Sequence, residues 1–352
     1  MQPDLTFIDQ TLGHAWRQGR LSFPELAVWK RKLAGLGKLL FDLPLELLEK
    51  GAGRVELDLG DVRLETGLDP ERIKAASGLG CHRIKLTLHP EALAETEIPL
   101  LEEALAQAQR RGMEVAVQGL NIGKDSRDDR ALFQKILAQY PIDRLIVVDA
   151  QSRLDPLSTA RRVADWHDFF PGQLEYGSPN GMGLATGNAL GAVHSGVRRI
   201  AVAVGGYGGF PALEEVWMGL RHLLKLPLEV PGDLAVCCRE VLEKIGEPVA
   251  AAKSILGANV FAHESGIHVD GIIKKSELYE PFAPEEIGLA RRIVIGKHSG
   301  KAAILRKLEE MNLSVAPGAV SRVLARVREL AVAQKGPVSD AQLRALAEEA
   351  AG

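Results

Sequence analysis

Short, continuously apolar runs recur along the first two thirds of the chain, each separated from the next by a stretch of helical periodicity. The runs include LTFIDQTL (5–12), RIKLTL (83–88), EVAVQGL (114–120), DRLIVVDA (143–150), QLEYGS (173–178) and RRIAVAV (198–204). PLLEEALAQAQRRG (99–112) and RALFQKILAQY (130–140) are examples of the helical stretches between them. A run that is apolar without alternation reads as a strand buried on both faces, and strands alternating with helices read as a helix-covered parallel sheet. KLLFDL (38–43) and RVELDL (54–59) bring the strand count to eight. Eight such units predict a (β/α)8 barrel of the TIM type over residues 1–225. An open doubly wound sheet is the alternative that the same pattern allows.

The 352 residues suffice for one barrel of roughly 250 residues and a smaller appendage. A net charge of −3 leaves no basic footprint for nucleic acid. No apolar run approaches the roughly 20 residues of a membrane-spanning helix, and the N-terminal segment lacks the basic-then-apolar layout of a secretory signal. The three cysteines, Cys81, Cys237 and Cys238, form no CxxC pair, so a reducing cytoplasm is expected.

The segment LKLPLEVPGDLAV (224–236) carries two prolines and closes the barrel pattern. Residues 226–312 read as a linker and a small α+β subdomain, of which 257–304 is rich in Gly and His. Residues 313–352 read as helical: Val320, Val323, Leu324, Val327 and Leu330 share one face, Pro337 breaks that helix, and Ser339 with Gln342 forms a capping box for the last one.

The most specific signal lies in 257–304. FAHESGIHVDGI, LYEPFAPEEIG and IGKHSGKAA follow one another there, and GLATGNALGAVHSGV (183–197), ALEEV (212–216) and IDQTL (8–12) lie upstream. This succession resembles the homocitrate, 2-isopropylmalate and citramalate synthases. The resemblance covers most of the chain and is weakest over about 20–80. It implies a TIM barrel with a C-terminal subdomain that condenses acetyl-CoA with a 2-oxo acid.

The resemblance also assigns a divalent metal, Mg or Mn, to the barrel mouth, and here this sequence departs from it. The Arg-Asp that ends the family's first strand is replaced by Gly13 and His14. The His-x-His-Asn-Asp run after strand seven is replaced by Gly177, Ser178, Pro179, Asn180 and Gly181. The Asn after strand eight is replaced by Phe210 within GGYGGF. The four expected ligand positions are therefore His14, Gly177, Pro179 and Phe210, and one imidazole does not hold a hard cation. No metal or other cofactor is expected on this chain. A relocated site built from His14, Asp149, Glu175 and Asn121 is the conceivable exception, with Glu175 read instead as part of a polar barrel interior.

The C-terminal pattern is intact. In the family, one subunit's cap reaches over its partner's barrel and supplies a histidine and a tyrosine, matched here by His268 and Tyr279, with His263 and Glu264 in support. A lone loop histidine is ordinarily solvated or satisfied in a core; it is the contiguity of the pattern that gives these residues a role. Proton removal from the acetyl methyl group needs a base near neutral pKa, and a phenol can donate to developing oxyanion charge. A kept cap on an emptied barrel resembles the alpha component of the two-polypeptide homocitrate synthases of nitrogen-fixing anaerobes. It implies a metal-bearing omega-type partner barrel, with acetyl-CoA and a 2-oxo acid, 2-oxoglutarate in that case, at a shared site. The alternatives are a non-catalytic regulator of a family synthase, a related 2-isopropylmalate or citramalate synthase, and a self-sufficient enzyme with a metal-independent reaction.

Overall fold

The structure is a computed structural model that describes residues 4–51, 57–88, 97–123, 131, 135, 139–140, 142–170, 173–264, 280–316 and 318–351. It resolves into two compact units, 1–249 and 250–352.

The first unit contains a closed barrel of eight parallel strands, each paired with the next and the last with the first. The strands are β1 (Thr6–Asp9), β2 (Leu39–Pro44), β3 (Val62–Glu65), β4 (Arg83–Thr87), β5 (Glu114–Asn121), β6 (Arg144–Val148), β7 (Gln173–Tyr176) and β8 (Arg199–Val202). The closed barrel excludes the open doubly wound sheet. Around the strands lie α1 (Thr11–Arg17), α2 (Phe23–Ala34), α3 (Leu45–Gly51), α4 (Pro70–Gly78), α5 (Glu97–Arg110), α6 (Pro156–Phe169), α7 (Ala185–His194), α8 (Leu213–His222) and α9 (Leu234–Lys244). Local chemistry sets where the helices begin. Asp155 accepts the Leu157 and Ser158 amides ahead of Pro156, and Asp69 accepts the Glu71 amide ahead of α4. Much of the 130–140 stretch lies outside the described residues.

The third strand departs from the sequence reading. It is Val62–Glu65 and not RVELDL (54–59), of which residues 54–56 lie outside the described residues and 57–59 take no strand pairing. The reason is register. Asp42 faces Arg63, and Leu43 faces Leu64, so VRLE sends its apolar side chains outward and its charges into the barrel.

That alternation recurs. Arg63 and Glu65 share one parity on β3, as do Arg83 and Lys85 on β4, Glu114 and Gln118 on β5, and Arg199 and Ala201 on β8. The opposite parity is apolar and fully buried: Phe41, Leu43, Leu64, Ile84, Leu86, Val117, Leu145 and Ile200. After β8 the chain makes a glycine turn, with Gly205, Gly206, Gly208 and Gly209 at positive φ. A Cβ on Gly208 would stand 2.8 Å from the His14 ring, so glycine is required there on both counts. The unit runs past residue 225 because α9 packs on this turn and on α2 and α8, burying Leu234, Cys237, Cys238 and Val241.

The second unit begins with a short parallel pair, β9 (Ala262–His263) and β10 (Arg292–Ile293). Its core is built by α10 (Lys301–Glu310), α11 (Ala319–Gln334) and α12 (Asp340–Ala351), through Ile304, Leu308, Val320, Val323, Leu324, Val327 and Leu343. That single core continues across residue 312, where the sequence suggested a boundary. The reciprocal capping box holds as read: Ser339 N donates to Gln342 Oε1 at 2.9 Å, and Gln342 N to Ser339 Oγ at 3.2 Å.

Candidate functional site

The C-terminal ends of the barrel strands surround a cavity of about 320 Å³. Its lining is part charged, from Arg17, Asp42, Arg63, Glu65, Lys85 and Glu175, and part apolar, from Ile146, Val148, Ala201 and Phe210. The charges form a ladder. Arg63 donates to both oxygens of Asp42, at 2.7 and 2.9 Å, and to Glu175 Oε2 at 2.7 Å. Lys85 Nζ lies 3.4 Å from Asp42 Oδ2 and 3.1 Å from Glu65 Oε1. Arg17 pairs with Glu65 at the outer end, and Arg199 Nε lies 2.9 Å from Glu175 Oε1 at the inner end. Gln10 adds a donor to Asp42 Oδ2 at 2.9 Å.

These pairs fix the ionisation of the wall. Burial would raise the Asp42 carboxyl, but the charges of Arg63 and Lys85 outweigh it and hold it below the usual carboxylate range. Burial likewise opposes the charge on Lys85, and Asp42 with Glu65 raises its pKa nonetheless. Asp42 and Glu65, whose pKa values are both lowered, are therefore ions with a cation already on each.

The positions where the resemblance places the metal do not fit a divalent ion. Gly177, Pro179 and Phe210 present no ligand atom. His14 Nε2 is 2.9 Å from Gln18 Nε2, and its ring stands edge-on to Tyr207. A larger side chain at Gly177 would meet Ala201, whose Cβ is 3.0 Å from the Cβ position. The residues of the conceivable relocated site are engaged by other groups. Asp149 accepts the Leu154 amide at 2.7 Å, Asn121 accepts the Gly123 amide at 3.1 Å, and Glu175 is held by Arg63 and Arg199. Among the described residues no group of three or more His, Cys, Asp or Glu side chains converges as a metal site.

In the second unit, His268 and Tyr279 lie outside the described residues. His263 and Glu264 are neighbours on and just after β9, and they engage different partners. His263 Nε2 is 3.2 Å from Glu280 Oε1. Glu280 is buried and also accepts Arg291 Nε at 3.0–3.1 Å and Arg291 NH2 at 2.7 Å. Glu264 accepts the His298 amide at 2.9 Å, so it fastens the IGKHSGK loop. A Cβ on Gly296 would fall 2.4 Å from Glu264 Oε1, which explains the glycine before Lys297.

Sequence reasoning overlooked Asp42, Arg63, Lys85 and Glu65 at the mouth, and Glu280 with Arg291 in the second unit. The signal for the first four was present as charged residues at every second position of otherwise apolar strands.

An eight-stranded (β/α)8 barrel followed by a small mixed unit with a three-helix core defines the class. The C-terminal segment, residues 255–335, matches the family described as homocitrate synthase post-HMGL domain-like. Over 256 residues the chain is 37% identical to 2-isopropylmalate synthase 2 of Caldanaerobacter subterraneus subsp. tengcongensis, covering 71% of this chain and 66% of that protein. Over 305 residues it is 30% identical to homocitrate synthase 1 of Nostoc sp., covering 83% and 78%. The barrel of an HMG-CoA lyase from Bacillus subtilis superposes with a TM-score of 0.58 at 15% identity, over 72% of this chain and 98% of that one, which speaks to the fold alone. The chain belongs to the homocitrate synthase and 2-isopropylmalate synthase family. Its match spans 50–66% of the length of three of its curated relatives. Among the described residues no helix is long and apolar enough to cross a membrane.

Proposed function

We propose that this chain is one subunit of a two-component synthase of the homocitrate type, condensing acetyl-CoA with 2-oxoglutarate. In this reading a partner barrel of the omega type holds the divalent metal and the 2-oxo acid. This chain supplies His268 and Tyr279 in trans, supported by His263 and Glu264, and homocitrate serves a nitrogen-fixation system.

The observation that carries the reading is the state of the barrel mouth. His14, Gly177, Pro179 and Phe210 stand where ligands are expected, and the nearby carboxylates are already neutralised by Arg63, Lys85 and Arg199. A divalent ion entering there would have to displace buried cations, which costs several kcal/mol for each pair broken. The chain's own contribution is then proton chemistry. His268 is assigned as the base for the acetyl methyl proton, and Tyr279 as the donor to the forming alkoxide. Glu264 and Glu280, which bound the stretch that carries them, are each held by hydrogen bonds within the second unit.

Acetyl-CoA consumption with 2-oxoglutarate and Mg²⁺ or Mn²⁺ tests the proposal. Turnover is expected from the mixture of this chain with a metal-competent family barrel from the same genome, not from this chain alone, and is expected to fall at least a hundredfold with His268→Ala. Full turnover of a mixture carrying His268→Ala and Tyr279→Phe would make the chain a regulator. Metal-dependent turnover by the chain alone would overturn the division of labour.

A further inference from the structure

The ladder in the barrel does not end at the mouth. Four strands begin with a charged residue of the same strand position: Arg83 on β4, Glu114 on β5, Arg144 on β6 and Arg199 on β8. Three are arginines and they converge on one carboxylate. Arg83 Nε reaches Glu114 Oε2 at 3.1 Å, Arg144 Nε lies 3.5 Å from Oε1, and Arg199 NH1 lies 4.0 Å from the same Oε1.

Glu114 is too little for them. Arg83 turns one amino group to the Gly60 carbonyl at 2.6 Å. Arg199 is divided between Glu114 and Glu175, and Glu175 is itself shared with Arg63. Arg144 Nε is sheltered from solvent and finds no acceptor in hydrogen-bonding geometry among the described residues. Burial and the neighbouring charges of Arg144 and Arg63 push the Arg199 pKa down, the sign expected of a cation among cations. The carboxylate of Asp4, which also feels Arg144 and Arg199, is occupied by Lys38. Among the described residues of the ladder, six cations (Arg17, Lys85, Arg63, Arg199, Arg144, Arg83) face four carboxylates (Glu65, Asp42, Glu175, Glu114). Part of the excess gathers at the floor, because the outer end of the ladder is a half-exposed Arg17 that water can solvate.

From this geometry we infer an oxyanion site at the barrel floor. Its ligand is a phosphate-class ion, either free or as the terminal phosphoryl group of a small metabolite, held by Arg83, Arg144 and Arg199. Guanidinium groups present pairs of N–H donors that match two oxygens of a tetrahedral oxyanion, which a spherical halide does not offer. The three side chains are 32%, 17% and 14% exposed, so the cluster is open to solvent. The floor of such a barrel carries stability and not chemistry, and the bound ion acts by linkage, stabilising the folded barrel as its concentration rises.

The test is thermal unfolding of the full chain in phosphate against chloride at matched ionic strength, with glycerol 3-phosphate as a third arm. Phosphate is expected to raise the melting temperature above the chloride value. The apparent phosphate affinity is expected to fall at least tenfold in Arg144→Gln, whose melting temperature in chloride is not lowered because a repulsion has been removed. A response to glycerol 3-phosphate as well identifies a terminal phosphoryl group as sufficient; a response to phosphate alone identifies the free ion. If Arg144→Gln does not fold, Arg83→Gln at the most exposed of the three positions gives the same reading. The inference is overturned if wild type gains nothing from phosphate beyond chloride, or if the variant gains as much as wild type. Because acetyl-CoA and the partner subunit are absent from the experiment, its outcome is independent of the division of labour proposed above.

Discussion

Arg63 and Asp42 face each other in register across β3 and β2, joined by two hydrogen bonds of 2.7 and 2.9 Å, with the Asp42 side chain only 1% exposed. The pair sits in the barrel mouth where the family resemblance places a metal and its substrate. The bidentate pair braces the wall of that cavity, with Glu175 and Lys85 extending the brace to both sides.

Cutting the brace at its centre should be costly. Arg63→Met leaves Asp42 and Glu175 buried with fewer counter-charges, and a loss of about 3–5 kcal/mol of stability is expected. Urea unfolding followed by circular dichroism measures it. Replacing Arg63, Asp42 and Glu175 together by apolar residues should cost less than Arg63→Met alone, since Lys85 keeps Glu65, Arg199 keeps Glu114, and no buried carboxylate is left without its cation.

Asp9 gives a pH signature of opposite sign to that of the ladder. Burial pushes its carboxyl up to about 6, despite amide and hydroxyl donors from Leu12 and Thr11. A carboxyl whose folded pKa exceeds its unfolded value binds the extra proton in the folded state. Stability is therefore fully present below the unfolded pKa, near 4, and is lost as pH rises through about 6. Asp9→Asn should stabilise the chain at pH 7.5 by on the order of 2–3 kcal/mol, and the gain should vanish near pH 4. Melting curves of both proteins across pH 4–8 decide it; equal differences at both ends would rule out the assignment. Asp42 and Glu65, whose pKa values are lowered, act the other way and withdraw stability only in acid.

The isolated chain should be indifferent to divalent metals. With His14 on Gln18 and the mouth carboxylates on Arg63, Lys85 and Arg199, Mn²⁺ added to the chain alone should give no saturable calorimetric signal, and a chelator should leave the melting temperature unchanged. Stoichiometric Mn²⁺ uptake abolished by His14→Ala would mean that the mouth rearranges into a site.

The last helix depends on its capping box. Ser339→Ala removes the acceptor for the Gln342 amide and should cost about 1 kcal/mol. The effect should appear in hydrogen exchange of α12 and α11, which share the second unit's core, before it appears in the barrel strands.

Periodicity alone carried the eight-strand count, the parallel sheet and the helical face of Val320, Val323, Leu324 and Val327, because burial on both faces of a strand or one face of a helix leaves a direct mark on residue order. The same marks misplaced β3, since RVELDL and VRLE are both short and mixed, and only pairing with β2 separates them. That Gly177, Pro179 and Phe210, where the resemblance expects ligands, carry no ligating side-chain atom was likewise legible, because residue type needs no geometry to be recognised. Of what lines the mouth, Glu175 was read as part of a polar interior, but its partners were not. Asp42, Arg63 and Glu175 are far apart along the chain, and they become one ion-paired cluster only because a closed barrel turns alternate residues of every strand toward one axis. The crowding of Arg83, Arg144 and Arg199 on Glu114 has the same origin: local sequence fixed which way each side chain points, and barrel closure alone decided which charges must share a space.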